Sequence, residues 1–250
     1  MELETGAAVS LISWGQYKSA LRHVPLQPTD VVLKTYTGEP LAPEGVVKVQ
    51  GLGTIKGIKA RVTLKPDSVP KFCPTRNVPY ALRPKVEAEL TRLTELGVIS
   101  PVEHSDWATP VVPVSKKDAT VRLCGDFKVT INPALCVDKY PIPRIEDLFA
   151  SLAGGQRFSK LDLSNAYLQM EVEEELFCHN RLPFGITSAP ALFQKAMDQV
   201  LLGLPFTHCY LDDILVSGPD EETHLKTLDA VLGRLEEYGL HVKQEKCLFF

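Results

Sequence analysis

The chain has 250 residues, with 44% hydrophobic and 23% charged, so it can bury a core and has an ordinary globular composition. With 27 Lys and Arg against 31 Asp and Glu, its net charge of −4 excludes a surface that grips nucleic acid on all sides. No apolar run could span a bilayer, Met1-Glu2-Leu3-Glu4-Thr5-Gly6 lacks the layout of a signal peptide, and the six scattered cysteines form no Cys-x-x-Cys pair, so an intracellular chain with free thiols is expected.

Residues 1–50 read as short strands and turns. Segments 31–36 and 46–49 flank Thr37-Gly38-Glu39-Pro40 as a hairpin. Residues 51–84, rich in Gly, Pro and Lys, read as a linker or extended arm. Between Lys56 and Lys85 eight basic residues accompany one acid, Asp67. Such a stretch is either a solvated linker or a local phosphate-contacting face.

Pro84 opens a helix that Gly97 closes, with Val86, Leu90, Leu93 and Leu96 on one face. Extended segments follow at 108–114 and 121–124, around the polar loop 115–120. After Tyr140-Pro141-Ile142-Pro143 a second helix turns Ile145, Leu148, Phe149 and Leu152 inward and stops at Gly154-Gly155. Segment 158–163 is a strand interrupted by Asp162. A third helix begins near Thr187-Ser188, with Ala189, Phe193, Ala196 and Val200 on one stripe and Pro190 in its first turn. A fourth spans 221–238, with Leu225, Leu228, Leu232 and Leu235 inward and Gly239 as its stop. The sequence ends abruptly on apolar Leu248-Phe249-Phe250, as a chain cut short would. No internal repeat is visible.

Residues 208–217 place Asp212 and Asp213 between two short apolar runs, which predicts strand, tight turn and strand. Asp is a common turn residue, so a plain solvated turn is one reading. The other is a cation site, because paired carboxylates on a fixed hairpin tip can hold divalent ions. Asp162 favours the second. Phosphoryl transfer by two ions about 3.5–4 Å apart needs carboxylates from neighbouring strands.

Three segments in this order resemble the motifs of reverse transcriptases. Leu161-Asp162-Leu163 with Ala166-Tyr167 resembles the first carboxylate motif. Segment 181–193, with Leu182-Pro183-Phe184-Gly185, resembles the template- and nucleotide-positioning motif. Tyr210-Leu211-Asp212-Asp213 resembles the second carboxylate motif. Segments 100–110 and 140–143 are typical of Pol polyproteins of Ty3/gypsy-type LTR retrotransposons, and the likeness runs from about Gly51 to Phe250. The resemblance implies an α+β fold over 85–250, the fingers and palm of an RNA-directed DNA polymerase, with an antiparallel sheet backed by helices. It implies nucleotidyl transfer with Mg²⁺ or Mn²⁺, Asp162 and Asp212 as metal ligands and Asp213 beside them. Tyr167 would stack under the incoming sugar and disfavour a 2′-OH, unless it is simply a core tyrosine. Lys116 and Arg122 would touch the triphosphate, unless they are only solvated. Phe184 and Gly185 would line the nucleotide pocket. The partners implied are an RNA or DNA template-primer, dNTP, and other Pol segments or a second subunit, with no membrane.

Two departures stand out. Segment 171–180 is shorter than in relatives, which would shorten or remove a hairpin beside the palm and endanger its register. The family's thumb and RNase H segments are not represented in the sequence. At the other end, segment 2–10 resembles the active-site loop of retroviral-type aspartic proteases, making residues 1–50 a partial protease-like segment. Its Glu4-Thr5-Gly6 stands where the family has Asp-Thr-Gly. Because such enzymes pair two carboxylates at close range, the added methylenes would crowd the dyad, and no protease activity is expected. The alternative to a polymerase fragment is a catalytically silent remnant that at most binds nucleic acid or a partner.

Overall fold

The computed structural model describes residues 52–116, 119–137, 139–176 and 178–249, together with two short strands before them. Those strands, β1 (Leu33–Lys34) and β2 (Pro40–Leu41), pair antiparallel, Leu33 with Leu41 and Lys34 with Pro40. The expected hairpin is corrected here, because the first strand pairs with Pro40–Leu41, and Pro40 was expected in the turn; residues 46–49 and the whole of Glu4-Thr5-Gly6 lie outside the described residues.

The Gly- and Lys-rich stretch 52–84 is extended, but it is packed rather than free. Thr54 and Lys56 N–H donate to the carbonyls of Gly239 and Tyr238, each at 2.9 Å, and Ile55 N–H donates to Gln169 at 2.8 Å. Ile55 and Ala60 are buried in the main core, and strand β3 (Lys59–Ala60) joins a sheet. Gly53 is required at its position, because a Cβ there would sit 2.1 Å from the Gln169 side-chain oxygen.

Helix α1 (Arg83–Glu95) starts and stops where its Pro and Gly indicated. None of its residues is buried, and Leu90 of the expected inner face is 41% exposed. Strands β4 (Val111–Ser115) and β5 (Val121–Gly125) form a separate antiparallel pair, on which α1 packs. Helix α2 (Ile145–Ser151) buries Leu148 alone, so the expected inward placement of Ile145 and Phe149 is corrected: both are exposed. A short helix offers one side to a neighbour, and here that side is one residue wide.

The largest sheet is four-stranded and antiparallel, in the order β11-β6-β10-β9, built from β6 (Arg157–Asp162), β9 (Thr207–Tyr210), β10 (Asp213–Gly218) and β11 (Leu248–Phe249). Alternation sends Leu161, Ile214 and Val216, all fully buried, to the helix-covered side. Helix α3 (Ala189–Val200) packs against β9, and its stripe Ala189, Phe193, Ala196 and Val200 is buried throughout. Helix α4 (Glu221–Glu237) covers β10 and β6. Its inner stripe is His224, Leu228, Val231 and Leu235, whereas Leu232, expected inward, is exposed. His224 occupies the first inward position because its Nε2 bonds the Ser159 hydroxyl at 2.8 Å beneath the sheet.

Segment 171–181, expected to lose or shorten its hairpin, forms one. Strands β7 (Glu171–Leu176) and β8 (His179–Arg181) pair antiparallel, Glu171 with Arg181 and Leu176 with His179, but the register slips between those pairs. With β3 running parallel to β7 they form a three-stranded sheet.

Candidate active site

Asp162 closes β6 and Asp213 opens β10, and the two are direct cross-strand partners. Partners in an antiparallel pair project from the same face, here the side opposite Leu161 and Ile214. Asp212 lies at the β9–β10 tip and is exposed, while Asp162 is 8% exposed. The tip is tied to the neighbouring strand, because Leu163 N–H donates to the Asp212 carbonyl at 2.9 Å.

Two lysines occupy this acidic face. Lys160 Nζ is 2.7 Å from Asp213 Oδ2, and Lys246 Nζ is 3.2 Å from Asp162 Oδ2. The hydrogen bond to Asp213 is the main reason that the Lys160 ammonium holds its proton more tightly than usual. The negative charges of Asp213, Asp162 and Asp212 all add to it. One ammonium thus sits in the field of all three acids, the position of a cation stand-in. Among the described residues the three carboxylates are not gathered into a ready metal cage.

Tyr167 stands on the 3₁₀ turn Ala166–Gln169. Its ring packs 5.1 Å from Phe184 and 5.3 Å from Phe193, centroid to centroid. Burial, and then the charge of Asp212, raise its phenol above the usual value, so the ring lies beside the acids and borders the core. Gly185 follows Phe184 with φ +96°, a conformation that L side chains rarely adopt. The loop after it is held by Asn132, whose Nδ2 donates to the Gly185 carbonyl at 2.9 Å and whose Oδ1 accepts from Thr187 N–H at 3.0 Å. The structure therefore brings Asp162, Asp212, Asp213, Tyr167, Phe184 and Gly185 together. Lys116 and Arg122 are exposed on the β4–β5 hairpin, and no hydrogen bond or ion pair joins them to the acids among the described residues.

Five further residues shape the site without having been singled out in the sequence: Lys160, Lys246, Asn132, Gln169 and Gln194. Gln169, fully buried, donates to the carbonyls of Ser164 (2.7 Å) and His241 (2.8 Å) and accepts from His241 N–H (2.7 Å), fastening the loop after Asp162. Gln194, equally buried, does the same for the Asp212 turn. Only an uncharged polar residue inside an apolar run could have signalled either one.

Residues 173–250 match the family model described as reverse transcriptase (RNA-dependent DNA polymerase). The chain is similar to the uncharacterized protein K02A2.6 of Caenorhabditis elegans, 40% identical over 213 residues, covering 80% of this chain and 17% of that one. It is also similar to the retrovirus-related Pol polyprotein from transposon opus of Drosophila melanogaster, 30% identical over 220 residues, 80% of this chain and 22% of that one. The chain thus spans about a fifth of the length of these relatives. Its fold is that of the foamy viral protease-reverse transcriptase solved with an RNA/DNA hybrid, at TM-score 0.71 and 23% identity, covering 79% of this chain and 28% of that one.

Proposed function

We infer that this chain, which carries part of the reverse transcriptase domain found in transposon Pol polyproteins, is the fingers-and-palm segment of an RNA-directed DNA polymerase of Ty3/gypsy type. The observation that carries the reading is the register that sets Asp162 opposite Asp213, with Asp212 at the adjoining tip and all three charges acting on Lys160. A face that already binds two ammonium groups suits a divalent cation in chemical type, and Asp162 and Asp212 are the residues that would hold it, with Asp213 beside them. Held there, Mg²⁺ or Mn²⁺ would supply activation of an attacking hydroxyl and neutralisation of a departing pyrophosphate. The residues of the chain do the positioning. Tyr167 offers a ring face to the sugar of an incoming dNTP. Phe184 and Gly185 border its base on the loop that Asn132 fixes, and Lys116 and Arg122 meet its phosphates as the fingers approach. The basic arm from Lys56 to Lys85 contacts template-primer phosphates. We further assign residues 1–50 to a protease-derived segment that is inactive because Glu4 replaces the aspartate.

The irregular β7–β8 pairing supports a second reading, a silent remnant that binds nucleic acid without extending it. Primer extension on poly(rA)/oligo(dT) with Mg²⁺ or Mn²⁺ separates the two. Incorporation that falls at least about a hundredfold in Asp212→Asn, the scale of losing one charge-stabilising group, supports the polymerase. Salt-dependent template binding without incorporation supports the remnant.

A further inference from the structure

The turn that carries Asp212 is held in an unfavourable backbone shape. Leu211, the first of the two residues between β9 and β10, has φ +56°. In that region the Cβ of an L-residue crowds its own carbonyl oxygen, which favours relaxing out of it. Relaxation would re-aim the next residue, Asp212. What opposes it is the carboxamide of Gln194 on α3. Its Oε1 accepts from Leu211 N–H at 3.0 Å, and its Nε2 donates to the Cys209 carbonyl at 2.9 Å, so the chain entering the turn from β9 is fastened at two points to one side chain. The second Nε2 hydrogen goes to Asp198 Oδ1 at 2.8 Å, and Asp198 Oδ2 accepts from the Tyr140 hydroxyl at 2.7 Å. Every hydrogen-bonding group of the amide that this arrangement calls on is used, and a flipped amide would set oxygen against oxygen at Cys209 and Asp198. A core glutamine needed only to fill space would not require this one orientation.

We propose that Gln194 is a positioning residue for nucleotidyl transfer. It clamps Leu211 in the left-handed conformation that aims Asp212 at the cation, and Asp198 and Tyr140 buttress the clamp from behind. The inference rests on the metal-binding reading of Asp212, so its test has a readout independent of that reading. In the full chain, amide hydrogen exchange at Leu211 and Mn²⁺ binding by titration are measured for wild type, Gln194→Met and Tyr140→Phe. Gln194→Met is expected to speed Leu211 exchange at least tenfold and weaken Mn²⁺ binding about tenfold. Adding Leu211→Gly, which accepts positive φ without strain, restores much of the Mn²⁺ affinity. Tyr140→Phe shifts both in the same direction by less, and it keeps the test alive if Gln194→Met fails to fold. Unchanged Leu211 exchange overturns the clamp whatever happens to metal. Faster exchange with unchanged Mn²⁺ affinity, or no recovery with Leu211→Gly, overturns the positioning role. If wild-type chain binds no Mn²⁺ yet Gln194→Met frees Leu211, the clamp stands and the metal reading falls.

Discussion

Tyr167 is pinned between Phe184 and Phe193, so its ring has little freedom to yield to a bulkier sugar. Replacing it with valine opens that wall. Discrimination against ribonucleotides should fall at least tenfold, about 1.4 kcal/mol, while phenylalanine retains it; the ratio of kcat/KM for dNTP over rNTP checks this. A second residue titrates. His179 is half-buried against Phe127, rings 5.8 Å apart, with its Nδ1 buried and unpartnered, and desolvation lowers its pKa from 6.5 to about 4. Because the unfolded chain takes up the proton first, the stability tied to neutral His179 is complete above pH 6.5. It is lost as pH falls toward 4, amounting to about 2 kcal/mol between pH 7 and pH 5. His179→Phe should remove that component of the pH slope in urea denaturation; an unchanged slope would show that His179 is solvated. At this scale the acids and Tyr167 were legible because each sits in a local pattern. The amides were not. Gln169 reaches His241, 72 residues away, and Asn132 reaches Thr187, 55 residues away, and nothing in their neighbours' spacing announces such partners.

The four helices and the strands that carry Asp162 and Asp213 were legible in kind, less so in which side they bury, whereas β3, β7, β8 and β11 were not foreseen. Periodicity places Ile145, Leu148 and Phe149 on one face of α2 but cannot say that a neighbour covers only Leu148. In α4 the leucine spacing hid His224, whose inward place depends on Ser159 in β6. The Phe184-Gly185 loop shows the opposite case, where glycine marks a real backbone demand. Phe127 and the Gly125 carbonyl already lie 3.4 and 3.5 Å from where a Cβ would stand, and φ is +96°. Gly185→Ala should therefore cost about 1 kcal/mol or more in thermal unfolding. The displaced loop should raise the KM for dNTP more than it lowers kcat. Equal stability would mean that the loop relaxes at no cost.

Across the molecule, burial is uneven. One cluster joins Ile55 of the arm, Ile131 and Leu135, the palm strands and the inner faces of α3 and α4. The fingers lie largely outside it. No residue of α1 is buried, and Val111 and Val114 of β4 are 39% and 48% exposed. Val98 and Val121 are buried at 2% each but do not belong to the main cluster. Few buried apolar contacts mean a low free energy of local opening, so the fingers and palm should open as separate cooperative units. Native-state hydrogen exchange should show β6, β10 and α3 protected to the global limit. The amides of α1 and the β4–β5 pair should exchange through a sub-global opening at least about 1.4 kcal/mol, or tenfold, easier. Val121→Ala, which truncates the buried residue of β5, should speed exchange in α1 and β5 while leaving β6 and β10 unchanged. Equal acceleration everywhere would show one cooperative unit.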